Sequence, residues 1–200
     1  MNKKLLLIFT RNPELGKVKT RLAKTVGDEI ALEIYKYLLQ KTQKIASKVA
    51  SDKAVYYSVK IRKNDIWEES TYQKNLQNGD DLGIRMLQAF KNSFKKGYQK
   101  VIIIGSDLPD ITTQIIDEAF LQLDSSDVVL GPATDGGYYL LGMNTLHEKI
   151  FKNKNWGTDT VRAATLSDLK DKKVHLLPAL NDVDVFADIE NHPDFQHFLK

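Results

Sequence analysis

Cysteine is absent from this 200-residue chain. That removes disulfides, zinc–thiolate sites and thiol nucleophiles, and nothing points to an oxidising compartment. An excess of one charge is also lacking, since 29 basic residues face 26 acidic ones for a net charge of +3. Nucleic acid requires a concentrated basic face, so it is not an expected partner. Long apolar runs are missing too, and none approaches a membrane span. The first run, Leu5–Phe9, follows the basic start Met1-Asn2-Lys3-Lys4 and could be mistaken for a secretion signal. Thr10-Arg11-Asn12-Pro13 interrupts it too early, and no small-residue cleavage site follows. A buried first strand and a cytoplasmic location are the expectation. No repeat, linker or low-complexity tract occurs, and the length suits one domain over residues 1–200.

What is present is a rhythm of short apolar runs separated by helix-period segments, which implies an α/β fold with a mostly parallel sheet. Strands are expected at Lys4–Thr10, Ala54–Val59, Lys100–Asp107, Asp127–Leu130, Tyr138–Met143 and Val174–Leu177. Helices are expected at about Asp28–Val49, Asp81–Phe94, Thr113–Leu123 and Asp159–Leu169. Ile61–Gln77 is polar and resists assignment, with Trp67 read as docking a short helix. Lys100–Asp107 carries the continuous apolar run Val101–Ile104, which suits burial on both faces at the sheet centre. The strands either side of Gly131–Gly137 stand too close for a crossover helix, so an antiparallel excursion is expected there.

Four cations, Arg11, Lys17, Lys19 and Arg21, crowd the loop behind the first strand around the single Gly16. In an α/β sheet such a loop lies at the ligand-binding edge, so the cluster reads as a polyphosphate seat, against the plainer reading of a solvated turn. Gly-x-x-x-x-Gly-Lys-Ser/Thr is absent and Gly16 stands alone, which disfavours ATPase and dinucleotide chemistry. In Gly105-Ser-Asp-Leu-Pro-Asp110, Asp107 ends the most buried strand. A carboxylate facing a phosphate seat calls for Mg²⁺ or Mn²⁺ between them; the alternative is a turn cap enforced by Pro109. Asp110 reads as the cap of the next helix. Asp135-Gly136-Gly137 is either a common hairpin turn or a place where another molecule approaches the backbone, and Tyr138 or Tyr139 could line a sugar or base site. The Asp182/Asp184 pair is an exposed acidic turn unless the fold returns it to Asp107. The four histidines have no metal-ligand spacing and read as structural, and no nucleophile elbow occurs.

In order, Phe9-Thr-Arg-Asn-Pro-Glu-Leu-Gly-Lys-Val-Lys-Thr-Arg-Leu22, Gly79-Asp-Asp-Leu-Gly-Ile-Arg-Met86, Gly105-Ser-Asp-Leu-Pro109 and Gly131-Pro-Ala-Thr-Asp-Gly-Gly-Tyr-Tyr-Leu-Leu-Gly142 resemble one bacterial family. It is DUF2064, small glycosyltransferase-like proteins of which some are named arsenosugar-biosynthesis glycosyltransferases. The resemblance runs from about Leu5 to Ile189. It implies a three-layer α/β/α GT-A nucleotide-diphospho-sugar transferase fold, shared with molybdenum-cofactor and phospholactate nucleotidyltransferases. It further implies that Arg11, Lys17, Lys19 and Arg21 hold nucleotide phosphates and that Gly79, Asp80, Asp81 and Arg85 border the nucleotide. Asp107 matches the metal-binding aspartate, with Asp184 as the candidate second ligand. Trp156-Gly-Thr-Asp-Thr-Val161 resembles a segment that shapes the acceptor side, where Tyr138 is also placed. Asn181-Asp-Val-Asp-Val-Phe-Ala-Asp188 resembles the closing Asp-Val-Asp-Thr-Pro-Glu-Asp segment, with Val185-Phe186-Ala187 in place of Thr-Pro-Glu.

The expected activity is metal-assisted sugar transfer from a nucleotide-diphosphate donor to a small-molecule acceptor, with Asp107 and Asp135 as catalytic candidates and Asp135 activating the acceptor hydroxyl. Nucleotidyl transfer from a triphosphate with pyrophosphate release is the first alternative. The enzymes of that kind usually carry a richer Gly-x-Gly-Thr-Arg loop, and here Lys24 is the one nearby stand-in for their later lysine. A non-catalytic nucleotide-binding protein is the second alternative. The sequence is silent on base, sugar, acceptor and oligomeric state.

Overall fold

The computed structural model describes residues 3–200; Met1 and Asn2 of the basic start lie outside the described residues. In chain order the strands are β1 (Lys4–Thr10), β2 (Asp52–Tyr57), β3 (Tyr72–Leu76), β4 (Lys100–Ile104), β5 (Val128–Pro132), β6 (Tyr138–Met143) and β7 (Val174–Leu176). The helices are α1 (Thr20–Val26), α2 (Asp28–Ala46), α3 (Leu82–Lys95), α4 (Thr113–Gln122) and α5 (Val161–Asp168). All seven strands join one sheet in the order β3-β2-β1-β4-β6-β5-β7, with β4 at its centre. Only β6 runs against its neighbours, pairing antiparallel with both β4 and β5. The antiparallel excursion is therefore a single strand inserted into a parallel sheet.

Alternation along β1 builds the three layers. Leu6 and Ile8 face a core with Tyr35 and Leu39 of α2 and Ile116 and Phe120 of α4. Leu5 and Leu7 face the opposite core, with Met86 and Phe90 of α3 and Phe151 of the 3₁₀ turn Glu148–Phe151. Each face is apolar because helices cover both sides of the sheet. A third, smaller core joins Leu22 of α1 and Ile34 and Leu38 of α2 to Val183, Ile189 and Phe195 near the C-terminus. Among the described residues no helix is long and apolar enough to cross a membrane.

Several boundaries differ from the sequence reading, each for a physical reason. A short helix, α1, precedes α2, and Gly27 at φ +84° breaks the two apart. Ile61–Gln77 holds the edge strand β3, whose exposed side carries the polar residues that hid it. Trp67 starts no helix; it is fully buried, with Tyr72 edge-on at 5.1 Å. The cap of α4 is Thr112, whose Oγ1 accepts from Ile115 N at 3.3 Å, and not Asp110.

Candidate functional site

The carboxyl ends of β1 and β4 open into a cleft of about 750 Å³. Arg11, Lys19, Arg21 and Arg85 line it together with Asp107 and Asp184. A second cavity of about 230 Å³ adjoins it, lined by Asp135, Tyr138, Trp156 and Asp182 among others. The two share Phe9, Leu82, Gly105 and Asp107, so Asp107 stands at their junction. One side of this junction is cationic and the other is aromatic and acidic.

The floor of the cleft is a polar hub. Tyr35 OH accepts from Arg11 N at 2.9 Å and meets Thr10 Oγ1 at 3.1 Å and Ser106 Oγ at 3.3 Å. Burial raises the Tyr35 pKa despite the hydroxyl partners, so the phenol stays neutral. Asn12 clamps the basic loop to the end of β2: its Oδ1 accepts from Val59 N at 3.0 Å and its Nδ2 donates to Lys60 O at 2.8 Å. Gln77 Nε2 donates to the Tyr56 carbonyl at 2.9 Å and to the Thr10 carbonyl at 3.2 Å. These residues hold the loop in the position where Arg11, Lys19 and Arg21 line the cleft. None was singled out from sequence. Asn12 before Pro13 carried a turn signal, whereas Tyr35 on a helical stripe looks like any core aromatic.

Lys19 occupies the centre. Its Nζ donates to Asp107 Oδ2 at 2.7 Å and to the Val183 carbonyl. Burial works against its charge, but the field and hydrogen bond of Asp107, helped by Asp182, outweigh it and the pKa lies above the usual lysine value. The Val183 amide donates to the Asp107 carbonyl at 3.1 Å, tying the acidic segment to the strand end. Asp182 thereby sits in the field of Asp107, and its pKa is raised to about 6 by burial first and that field second. Asp184, on the wall of the cleft, forms an exposed ion pair with Arg21. Asp188 closes the segment, accepting from Asp184 N at 2.8 Å and Val185 N at 2.7 Å. That explains how the turn survives without Thr-Pro-Glu.

The other expected residues divide. Arg85 reaches the cleft while its Nε donates to the Gly79 carbonyl at 2.8 Å. Asp81 is the N-cap of α3, its Oδ1 accepting from Ile84 N at 2.7 Å, and Asp80 is exposed. Lys17 is exposed and is not among the lining residues. Asp135 Oδ1 accepts from Gly137 N at 2.8 Å, while Oδ2 faces no partner among the described residues. The close approach that Gly136 permits is made by the backbone of Asp159. Trp156 lies over Gly83 at the start of α3, where any Cβ would meet the indole.

Mg²⁺ and Mn²⁺ take one or two carboxylates and complete their shell with water and phosphate oxygens. Asp107 and Asp182, both on the wall of the smaller cavity, are the carboxylates that could supply such ligands. Among the described residues no group of three or more His, Cys, Asp and Glu converges.

Residues 38–158 match DUF2064, described as an uncharacterized protein conserved in bacteria. Among solved structures, a protein from Desulfovibrio desulfuricans G20, provisionally described as a nucleotide-diphospho-sugar transferase, is 29% identical with a TM-score of 0.87, covering 100% of this chain and 94% of its own. Rv0371c of Mycobacterium tuberculosis H37Rv, in complex with manganese, is 10% identical with a TM-score of 0.59, covering 94% of this chain and 96% of its own. The 4-diphosphocytidyl-2C-methyl-D-erythritol synthase of Anaerococcus prevotii DSM 20548 is 12% identical with a TM-score of 0.61, covering 99% of this chain and 96% of its own. These last two share the fold. No curated protein matches the chain.

Proposed function

Because the chain belongs to the DUF2064 family and joins a cationic cleft to an aromatic cavity at Asp107, we propose that it transfers a sugar from a nucleotide-diphosphate donor to a small acceptor. The junction carries the reading. A nucleotide-diphospho-sugar is polyanionic at one end and neutral at the other, and the two cavities differ in the same sense. The similarity to the D. desulfuricans protein over the whole chain supports the donor class.

In this reading Arg11, Arg21 and Arg85 bind the diphosphate from three sides of the cleft. Guanidinium groups suit this because they keep their charge and present paired donors to phosphate oxygens. Asn12 and Tyr35 keep the loop from relaxing, so the cations are in place before the leaving group gains charge. Asp107 and Asp182 would hold a divalent metal, which when bound offsets charge on the leaving diphosphate. On the acceptor side Tyr138 and Trp156 offer apolar faces that exclude water around the sugar. Asp135, with Oδ2 clear of its own turn, takes the acceptor hydroxyl proton.

The test is incubation with Mg²⁺ or Mn²⁺ and a panel of nucleotides and nucleotide-sugars, reading thermal shift and product. Release of a nucleoside diphosphate from a nucleotide-sugar is expected. Pyrophosphate release from a triphosphate would replace this reading by nucleotidyl transfer. Absence of any metal-dependent nucleotide binding would sink both. Asp107→Asn is expected to abolish the metal-dependent part of nucleotide affinity while leaving the metal-free part.

A further inference from the structure

Lys19 belongs to the basic loop, yet its ammonium is spent on the acidic side of the cleft. The side chain is only 8% exposed, held between Asp107 Oδ2 and the Val183 carbonyl. The backbone cooperates: Lys19 lies at φ +48°, a left-handed conformation that a lysine seldom adopts, directly before the first turn of α1. Strained residues of this kind persist where surrounding contacts over-determine them, and they gather at ligand sites and switches. Here the contacts are an ion pair, a carbonyl and the field of Asp182.

We propose that Lys19 is a resident cation on Asp107, exchanged for the divalent metal when a diphosphate arrives. The proposal rests on the metal-assisted reading given above. In the resting protein the ammonium takes the carboxylate oxygen that the metal needs. On nucleotide binding Lys19 moves to a phosphate oxygen, and the metal takes its place on Asp107.

Two physical facts require such an exchange. An ammonium hydrogen-bonded to Oδ2 at 2.7 Å and a divalent ion bonded to the same oxygen would be two cations within contact distance. Their repulsion disfavours joint occupancy of that oxygen. A metal arriving alone must therefore displace a buried ammonium from its ion pair, which is unfavourable because the Val183 carbonyl alone does not replace the lost carboxylate. A diphosphate removes the conflict, because it gives the ammonium a new acceptor and gives the metal further oxygen ligands. Metal and nucleotide thus favour each other's binding, and the coupling is reciprocal. The resting site also resists metal in the absence of substrate.

The experiment measures Mn²⁺ binding by the loss of the free-ion paramagnetic resonance signal, without nucleotide and with ADP, CDP, GDP or UDP. Lys19→Met, without nucleotide, is expected to bind Mn²⁺ about tenfold more tightly than the unaltered protein. Lys24→Met removes the same charge nearby without vacating Asp107, so it is expected to change that affinity by less than about twofold. Equal Mn²⁺ affinity of the Lys19 variant and the unaltered protein, or equal gains from both variants, overturns the exchange alone. No Mn²⁺ binding by either protein under any condition overturns both the exchange and the metal reading. A second measurement needs no substitution: saturating Mn²⁺ without nucleotide is expected to raise acetylation of Lys19 by acetic anhydride, read by peptide mass against the exposed Lys170 as an internal standard. Unchanged Lys19 labelling refutes the displacement.

Discussion

At Gly136 the backbone has no room for a methyl group. The residue lies at φ +92°, and a Cβ there would run into the backbone of Asp159. Gly136→Ala is therefore expected to cost about 1–3 kcal/mol, from left-handed strain and the forced retreat of the 157–162 segment. Urea unfolding measures the loss, and a cost within a few tenths of a kcal/mol would show that the segment gives way freely. The sequence presented this glycine as either a turn or a landing place for another molecule, and the neighbour proves to be the chain itself. Asp107 could be read in advance because the end of a central strand is fixed by topology. Asp182 could not be told from Asp184, since a backbone bond from Val183 to Asp107 turns the segment so that Asp182 lines the smaller cavity and Asp184 the cleft. Tyr35 was legible as a core residue and not as a hub, because a buried hydroxyl takes its meaning from partners far off in the chain.

The aromatic wall of the smaller cavity depends on how one element is anchored. Trp156 lies in a loop tied to α5 by Asp168, which pairs with Lys154 and, at 3.1 Å, with Lys149. The hydrogen bond from Lys154 holds the Asp168 carboxyl below its ordinary pKa. A depressed native pKa means that this stability is present above the unfolded value and is lost as pH falls through the native one. Asp168→Asn is expected to cost about 1–2 kcal/mol at pH 7, with the difference fading as acid titrates the unaltered protein. Denaturant unfolding at pH 7 and at pH 3 checks both halves, and a pH-independent difference would mean that packing, not charge, anchors the loop. At this scale most strands and helices were legible from periodicity. The exceptions, α1 and β3, are a single-turn-scale helix cut by a glycine and an edge strand with a polar outer side. Local pattern is weakest where an element gains its stability from one neighbour only.

Across the whole molecule, the third core links parts that the cleft needs in register. Phe195 is fully buried against α2 and sits with Leu22 and Val183 in one cluster. Leu22 follows the basic loop, and Val183 supplies the carbonyl to Lys19. Phe195→Ala is expected to destabilise the fold by about 3 kcal/mol and to weaken nucleotide binding from a distance of many residues. Isothermal titration with the best nucleotide from the panel, below the denaturation range, separates the two effects; unchanged affinity would mean that the cluster supports stability alone. The α/β class, the parallel sheet and the antiparallel excursion were legible, but nothing local announced that the C-terminal residues would fasten the two sides of the cleft.

The reversed direction of β6 has a consequence for how such a protein diversifies. Because β6 runs counter to β4 and β5, it is its first residue, Tyr138, and not its last, that stands at the ligand edge. The chain reaches that edge through the short hairpin 133–137, whereas the cationic cleft is assembled from strands joined by crossover connections. A hairpin can lengthen, shorten or change residues without rethreading any crossover. The wall of the aromatic cavity can thus change shape while the cationic cleft beside it keeps its own, which under the proposed sugar transfer would let acceptor selectivity drift apart from donor binding.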